Sequence, residues 1–453
     1  MSEPLEGVFV PQPPNPNVAP AAYFPQYFNQ ANNQLKLYLS LLASNQLEIV
    51  KFINKLTDLN LLAKNNFDAF GRLRVSQPFT LFDSQNRYAA DPAFDTSLTG
   101  SGTSTFLPNE SAVSLAVTTA SGDKVVRQTK RYFPYQPGKS LSFLSTFVMS
   151  AAKANLRQRV GYFDANNGLF LQRNGTELSF IIRTYTGGSV DDTRKVVQSS
   201  WNGDPLDGSG ASGITLDTTK AQIMFADFEW LGVGSVRVGF VIDGKYITAH
   251  TFDNANQVTA VYMQTATLPL RIEIENTAAT ASSSSMKQIC STVLSEGGYE
   301  QTSVERVARR STTLTGIGTS FVPLVSIRLA SDSLGAVILP KQVRVLPIAN
   351  GEYEIALVRN ATLTGASYNT TTFASVDFDV TATAMSGGDI VLNEYATASN
   401  QAGAQAQNDL LYNFDMQLGA TIAGTSDVYT VAVRILSGTG SAIGSLAFYD
   451  LSE

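Results

Sequence analysis

The sequence is short of the residues from which reaction centres are usually assembled. In 453 residues it has one cysteine, Cys290, and one histidine, His250. A single cysteine excludes an intrachain disulfide, and one residue of each kind cannot make a zinc site. Cys290 is expected to be an inert buried thiol, because a nucleophilic one would need a base beside it. Neither a GxSxG elbow nor a GxxxxGK[ST] phosphate loop occurs, so the common hydrolase and nucleotide-binding readings lack their motifs. No metal, catalytic residue or cofactor is expected.

Charge is scarce as well. Asp, Glu, Lys and Arg make up 15% of the chain, against about 25% in ordinary globular proteins. Neutral polar residues fill the deficit. The net charge is −6, the wrong sign for a protein that grips phosphate through clustered Lys and Arg, so nucleic acid is not an expected partner. No apolar run approaches the roughly 18 residues of a membrane span, and the start, MSEPLEGVFV, lacks the basic-then-apolar order of a signal peptide. The expectation is a protein made without a leader, with no membrane partner. Length allows about two to three domains, each large enough to bury a core.

Proline, in contrast, is concentrated. Pro4, Pro11, Pro13, Pro14, Pro16, Pro20 and Pro25 all fall at the start, which blocks both helix and central strand there. Residues 1–30 are therefore expected to form an extended arm, either a disordered tail or a peg that orders in a neighbouring subunit on binding. Residues 31–66 lack Pro and Gly and change period. Leu35, Tyr38, Leu42, Asn45, Ile49, Phe52, Leu56 and Leu59 step by threes and fours, the seam of a coiled-coil stalk in which Asn45 would fix register. Off-seam apolar residues such as Leu37, Leu47 and Ile53 keep a second reading open, a single amphipathic helix lying on its own domain.

Beyond Phe67 the period becomes that of strands. In SVRVGFVIDGKYITAHTF the pair Asp243-Gly244 is a type I′ hairpin turn between β-branched and aromatic residues. Counting outward from it, Ile242 faces Lys245, Phe240 faces Ile247, Val238 faces Ala249, and Arg237 faces His250. A guanidinium beside the imidazole would keep His250 neutral, a hydrogen-bonding group rather than a catalyst. A charged connector at 295–310 separates 67–300 from 301–453. In the latter, ASVDFDVTATA alternates Val376, Phe378 and Val380 toward a core with Asp377 and Asp379 toward water. The expected fold class is mainly β: an arm and a helical stalk, then two β-sandwich domains of jelly-roll or lectin-like kind.

Two places offer chemistry. In WNGDPLDGSGASG, Trp201 with Asp204 and Asp207 could hold a sugar on the indole face, or Ca²⁺ through oxygens, although an ordinary surface loop has the same composition. In FADFEWLG, Asp227 and Glu229 would share one face of a strand beside Trp230, the minimum for glycosidic acid–base work. Ordinary solvation of a strand edge is the plainer account.

The segment FDAFGRLRVSQPFTLFD, at the helix-to-sheet boundary, puts Phe67, Phe70, Gly71, Arg72 and Arg74 where a hinge post would stand. It resembles an AFGRLRVS-x-P-x-T-LFD type of segment in virion structural proteins of tailed double-stranded DNA phages, including marine and cyanobacterial ones. RYFPYQPGKS at 131–140, FADFEWLGVGSVRVGFVIDG at 225–244 and LSEGGYE at 294–300 fit the same resemblance. It implies a virion component, of head, neck or tail. A heptad seam feeding β domains points to a homotrimer, and the missing motifs to a component without enzymatic activity. A receptor-binding protein that recognises host-surface glycan is the alternative, and a polysaccharide depolymerase comes third.

Overall fold

A computed structural model describes residues 69, 78–300, 302–370, 375–399, 406–409 and 414–452. The arm, the stalk with its seam from Leu35 to Leu59, and the junction residues Phe67, Phe70, Gly71, Arg72 and Arg74 lie outside them. All described residues fall within one unit, Asp68–Glu453. The chain there is mainly β, and helix among the described residues is confined to two 3₁₀ turns, Gln198–Ser200 and Phe414–Met416.

Alternation explains the first pair of sheets. In Leu270–Asn276, LRIEIEN, Leu270, Ile272 and Ile274 enter the core, while Arg271, Glu273 and Glu275 take the opposite face. That strand lies in a seven-stranded sheet ordered Asp191–Val197, Glu177–Thr184, Gly168–Asn174, Leu156–Phe163, Leu270–Asn276, Lys124–Thr129 and Phe94–Thr99. Facing it is an eight-stranded sheet in which Lys245–Phe252, Val236–Ile242, Gln222–Phe228, Ser140–Val148, Ser284–Glu296, Ala112–Val117 and Thr103–Leu107 follow one another, and Phe79–Gln85 also pairs with Ser284–Glu296. Leu141, Phe143 and Phe147 of one sheet meet Val160 and Tyr162 of the other in a shared core. Phe143 and Tyr162 stack at 5.8 Å. The Tyr162 hydroxyl lies 3.0 Å from the carbonyl oxygens of Phe133 and Ala266 and accepts the Leu268 N–H at 3.1 Å, so its one polar atom is satisfied inside an apolar layer.

Strands from Val304 onward build a second sandwich. A five-stranded sheet orders Val304–Arg309, Gly440–Asp450, Ile338–Pro347 and Ala406–Asp409, with Leu314–Ile317 on Gly440–Asp450. A six-stranded sheet orders Asn369–Thr370, Val376–Asp379, Val322–Leu329, Val428–Ile435, Gly351–Arg359 and Asp389–Ala398. Leu324, Ile327, Tyr353, Val431 and Phe448 centre its core. The alternation of Val376–Asp379 misleads here. Asp377 and Asp379 do not face water: both are buried, Asp379 to 1% exposure. Asp377 sits 3.2 Å from Arg328, and Asp379 accepts backbone N–H groups of Ser367, Thr381 and Ala382. The strand is four residues long, and the turn after it folds back onto the carboxylate.

The two sandwiches share apolar contact. Val337, Leu339 and Phe414 belong to the core of the first sandwich, and Phe414 packs edge-on against Tyr299 at 5.0 Å and Phe79 at 6.0 Å. Around this plug, Arg131 donates to the Phe414 carbonyl and lies 3.2 Å from Asp415, while Gln417 Nε2 donates to the Tyr132 carbonyl at 2.8 Å. Removing such a plug costs about 3–5 kcal/mol. We expect wild-type urea unfolding to show one midpoint by tryptophan fluorescence, which reports the first sandwich, and by far-ultraviolet circular dichroism, which reports both. Phe414→Ala should lower that midpoint by a cost of this size. A wild-type fluorescence transition well separated from the dichroism transition would contradict the shared core.

Candidate functional site

The loop after Trp201 is built for structure. Trp201 is 6% exposed, lies 4.6 Å from Phe180 in the core, and donates its indole N–H to the Val196 carbonyl at 3.2 Å. It is therefore no platform for a sugar ring: both its area and its N–H are used internally. Asp204 is also buried, and accepts the N–H groups of Leu206 at 2.9 Å and Ser212 at 2.7 Å. Asp207 caps Ser209 in an exposed Asx turn, which holds its carboxyl below the usual range. None of the described His, Cys, Asp and Glu residues form a group of three or more placed to hold a metal ion.

That loop also corrects the hairpin register. Asp243 and Gly244 both have positive φ, 50° and 74°, and the pairs Ile242 with Lys245 and Phe240 with Ile247 form as counted. Past Gly239 a bulge shifts the ladder, so Arg237 pairs with Thr251 and His250 pairs with Val238. The bulge lies where loop N–H groups of Gly203 and Asp204 donate to Ala249 and Thr248 at 3.0 Å each, a second set of bonds that the edge strand must accommodate. His250 is neutral for a different reason from the one expected. Burial pulls its pKa down to about 4, against a smaller upward pull from Asp253, and its Nδ1 accepts the Asn202 N–H at 3.2 Å.

The acid pair is divided. Asp227 is 1% exposed and directly opposite Arg237 on the neighbouring strand, with which it forms a buried ion pair; Ser140 also donates to it. The strand ends at Phe228, so Glu229 enters the turn, where it accepts the Ser235 N–H at 3.2 Å. Cys290, expected to be buried, is exposed on Ser284–Glu296, opposite Gln85.

The outer face of the seven-stranded sheet carries charge, and it too is paired. Arg159 and Arg271 each lie 2.7 Å from Glu273, Arg183 bonds Asp192 at 2.8 Å, and Arg157 lies 2.6 Å from Glu275. Burial opposes ionisation of Glu273, yet Arg271, Arg159 and Lys124 together outweigh it and hold the carboxyl far below its ordinary range. The guanidinium groups of Arg159 and Arg183 lie over the Phe170 ring, at 5.2 and 5.1 Å.

Open space is found instead where the sandwiches meet, in a cleft of about 720 Å³. Trp230 lines it from the turn after Gln222–Phe228. The Trp230 indole N–H is fixed to the Met263 carbonyl at 3.0 Å, its backbone N–H donates to the Tyr135 hydroxyl at 3.0 Å, and Tyr135 meets its ring at 6.1 Å. Asp164 accepts the Asn166 and Asn167 N–H groups at 2.7 Å in a tight turn, and buried Asn167 accepts the Gln264 N–H at 2.9 Å. Tyr132 stands 3.5 Å from Asp164, and burial reinforced by that carboxylate raises its phenol well above the ordinary value. The opposite wall is Asp332, Ser333 and Gly335 of the second sandwich. A Cβ on Gly335 would lie 3.1 Å from the Tyr132 ring, so glycine there lets the wall approach. No motif announced this site; its residues come from segments as far apart as Tyr132 and Ser452, although Tyr132, Tyr135 and Pro137 lie in RYFPYQPGKS and Trp230 in FADFEWLG.

No protein-family model matches the chain, and no curated protein matches it. Among solved structures, it is similar over 49% of its length, and 99% of theirs, to the CBM2 module of the evolved Dit of Lactobacillus casei BL23 phage J-1, at 8% identity and a TM-score of 0.34. The Emp47p carbohydrate recognition domain matches over 48% of this chain and 97% of its own, at 12% identity and a TM-score of 0.32. A β-1,3-glucanase from Mycobacterium marinum matches over 48% and 100%, at 10% identity and a TM-score of 0.33. Similarity at this level assigns neither family nor activity.

Two consequences can be measured. Between pH 6.5 and about 4 the unfolded chain takes up a proton on His250 that the folded chain refuses, so its contribution is complete above pH 6.5 and is lost as pH falls toward 4. The loss is capped at about 3 kcal/mol. His250→Asn, which can still accept the Asn202 N–H, should flatten that part of the urea-midpoint profile. Asp227→Asn, by removing a counter-charge from the buried Arg237 guanidinium, should cost about 3–5 kcal/mol, much of it recovered in Asp227→Leu/Arg237→Leu.

Proposed function

We propose that this chain is a non-enzymatic structural component of a tailed-phage particle, trimeric through its stalk and docked on other virion proteins by its arm. The observation that carries the reading is where the phage-like segments fall in the fold. Residues 131–140 supply Arg131, which clamps Phe414, and Tyr135, which seats Trp230. Residues 294–300 supply Tyr299, which packs on Phe414 and Phe79. Residues 225–244 supply the strand pair and the turn beside the same junction. The segments behind the resemblance are thus those that join two sandwiches into one stiff part, as an assembly component requires, and their acid pair is divided between a salt bridge and a turn. Recognition of a host-surface glycan is the second reading, favoured by the aromatic and amide lining of the cleft.

Purified particles should contain the chain at a fixed copy number by quantitative mass spectrometry, and an antibody to the sandwiches should label one site class by electron microscopy. The recombinant chain should sediment as a trimer at micromolar concentration. Leu42→Asp with Ile49→Asp should give monomers whose sandwiches still melt cooperatively. A wild-type monomer, or particles free of the chain, would overturn the reading.

A further inference from the structure

We infer that the cleft between the sandwiches binds a neutral oligosaccharide, with Trp230 as the stacking platform and Gln264, Asp164 and Asp332 as the groups that hold hydroxyls. This inference deepens the glycan reading and rests on it for its biological setting, but the chemistry is that of the cleft alone. At about 720 Å³ it falls within the roughly 300–1,000 Å³ of ligand sites.

The lining selects the ligand class. A pyranose offers an apolar face of C–H groups and a rim of hydroxyls, each both donor and acceptor. The matching protein surface is a rigid aromatic beside planar amides and carboxylates. Trp230 is partly exposed, and its indole N–H is already bonded to Met263, so what it offers a ligand is ring surface. Gln264 is exposed, its backbone N–H is fixed on buried Asn167 at 2.9 Å and its amide oxygen accepts Asn167 Nδ2–H at 3.4 Å; its amide group is therefore held at an ordered point, with its NH₂ left to donate. Thr265 and Thr267 add hydroxyls on the same wall. Asp332 faces them from the second sandwich, exposed on a tight turn held by Ser333 N–H to Ala330 O at 3.0 Å.

The charge pattern excludes the competing classes. Among the described residues that line the cleft there is no Lys or Arg, whereas Asp164 and Asp332 both contribute. Phosphate, sulfate or uronate groups would meet carboxylates first, since Arg183 behind Asp164 lies outside the lining and is already engaged by Asp192. A peptide or lipid tail would want an apolar floor, and most of the lining is polar.

The chain provides its own reporter. It has two tryptophans, one in the core and one in the cleft. The full chain carrying Trp201→Phe should be screened on an array of neutral, N-acetylated and acidic glycans, and then titrated with the strongest-binding neutral oligosaccharide while the Trp230 emission is followed. Saturable change is expected, with the acidic counterpart of the same backbone at least about tenfold weaker. Gln264→Ala and Asp332→Ala, both at exposed positions that leave the core intact, should each weaken binding about tenfold, and Trp230→Phe should weaken it in the wild-type background by calorimetry. Absence of any neutral binder on the array, or binding that these three variants leave unchanged, would overturn the inference. Presence of the chain in particles is measured separately, so a failed cleft and a failed particle assignment give different results.

Discussion

The described structure depends on one apolar plug. Phe414 is remote in sequence from the sandwich it enters, yet it lies in that sandwich's core with Val337 and Leu339. Burying such a ring contributes about 1.5–3 kcal/mol, whereas the ion pair from Arg131 to Asp415, whose side chain is 81% exposed, is worth about 0–1 kcal/mol. Burial therefore supplies the attraction. The directional bonds around it, from Arg131 to the Phe414 carbonyl and from Gln417 to the Tyr132 carbonyl, set the angle. Because Tyr132 belongs to the same short segment, fixing that angle also fixes one wall of the cleft against the other.

Scarce charge is handled consistently. On the outer face of the seven-stranded sheet, buried Glu273 is shared by Arg159 and Arg271, and arginines rest on Phe163 and Phe170. Arginine suits this role where lysine would not, since its planar group bonds a carboxylate edge-on while stacking on a ring. Asp227 with Arg237 repeats the arrangement on the other sheet. Ionised groups inside the sheets thus have a counter-charge within reach or, as at Asp379, several backbone N–H groups, and the neutral polar residues that dominate the composition are left to meet solvent. The carboxylates of the cleft stand out against that background.

Much of the fold was legible because sheet formation is written locally. RIEIE in 270–276 alternates as the observed faces do, and Asp243-Gly244 set the first hairpin pairs correctly. The errors share a cause. A bulge that answers to the 201–204 loop, about fifty residues away, moves His250 off the counted register; Asp377 is covered by Arg328 of the next strand and Asp379 by the turn after it, neither of which belongs to the strand's own period; and Cys290, of a residue type that favours burial, stands at an exposed position. Trp201 and Trp230 look alike in sequence, each beside acids and glycines, and only packing separates them. The cleft was illegible for the same reason, since its two walls meet only once Phe414 is in place.

The contrast between the two tryptophans carries the functional argument further. An indole contributes to recognition only if its ring is accessible and its position costs little entropy to hold. Trp201 fails the first condition, lying against Phe180 in the core. Trp230 meets both: its N–H is anchored to Met263, its backbone to Tyr135, and its turn to the following segment through Tyr262, whose hydroxyl donates to the Glu229 carbonyl at 2.8 Å. A platform held at three points loses little on binding, which is where preorganised sites gain affinity over flexible loops. The same stiffness narrows choice. In the proposed glycan reading, the seated Phe414 holds the Trp230 wall against the Asp332 turn, so discrimination would follow from shape and from the carboxylates of the lining rather than from closure around the ligand.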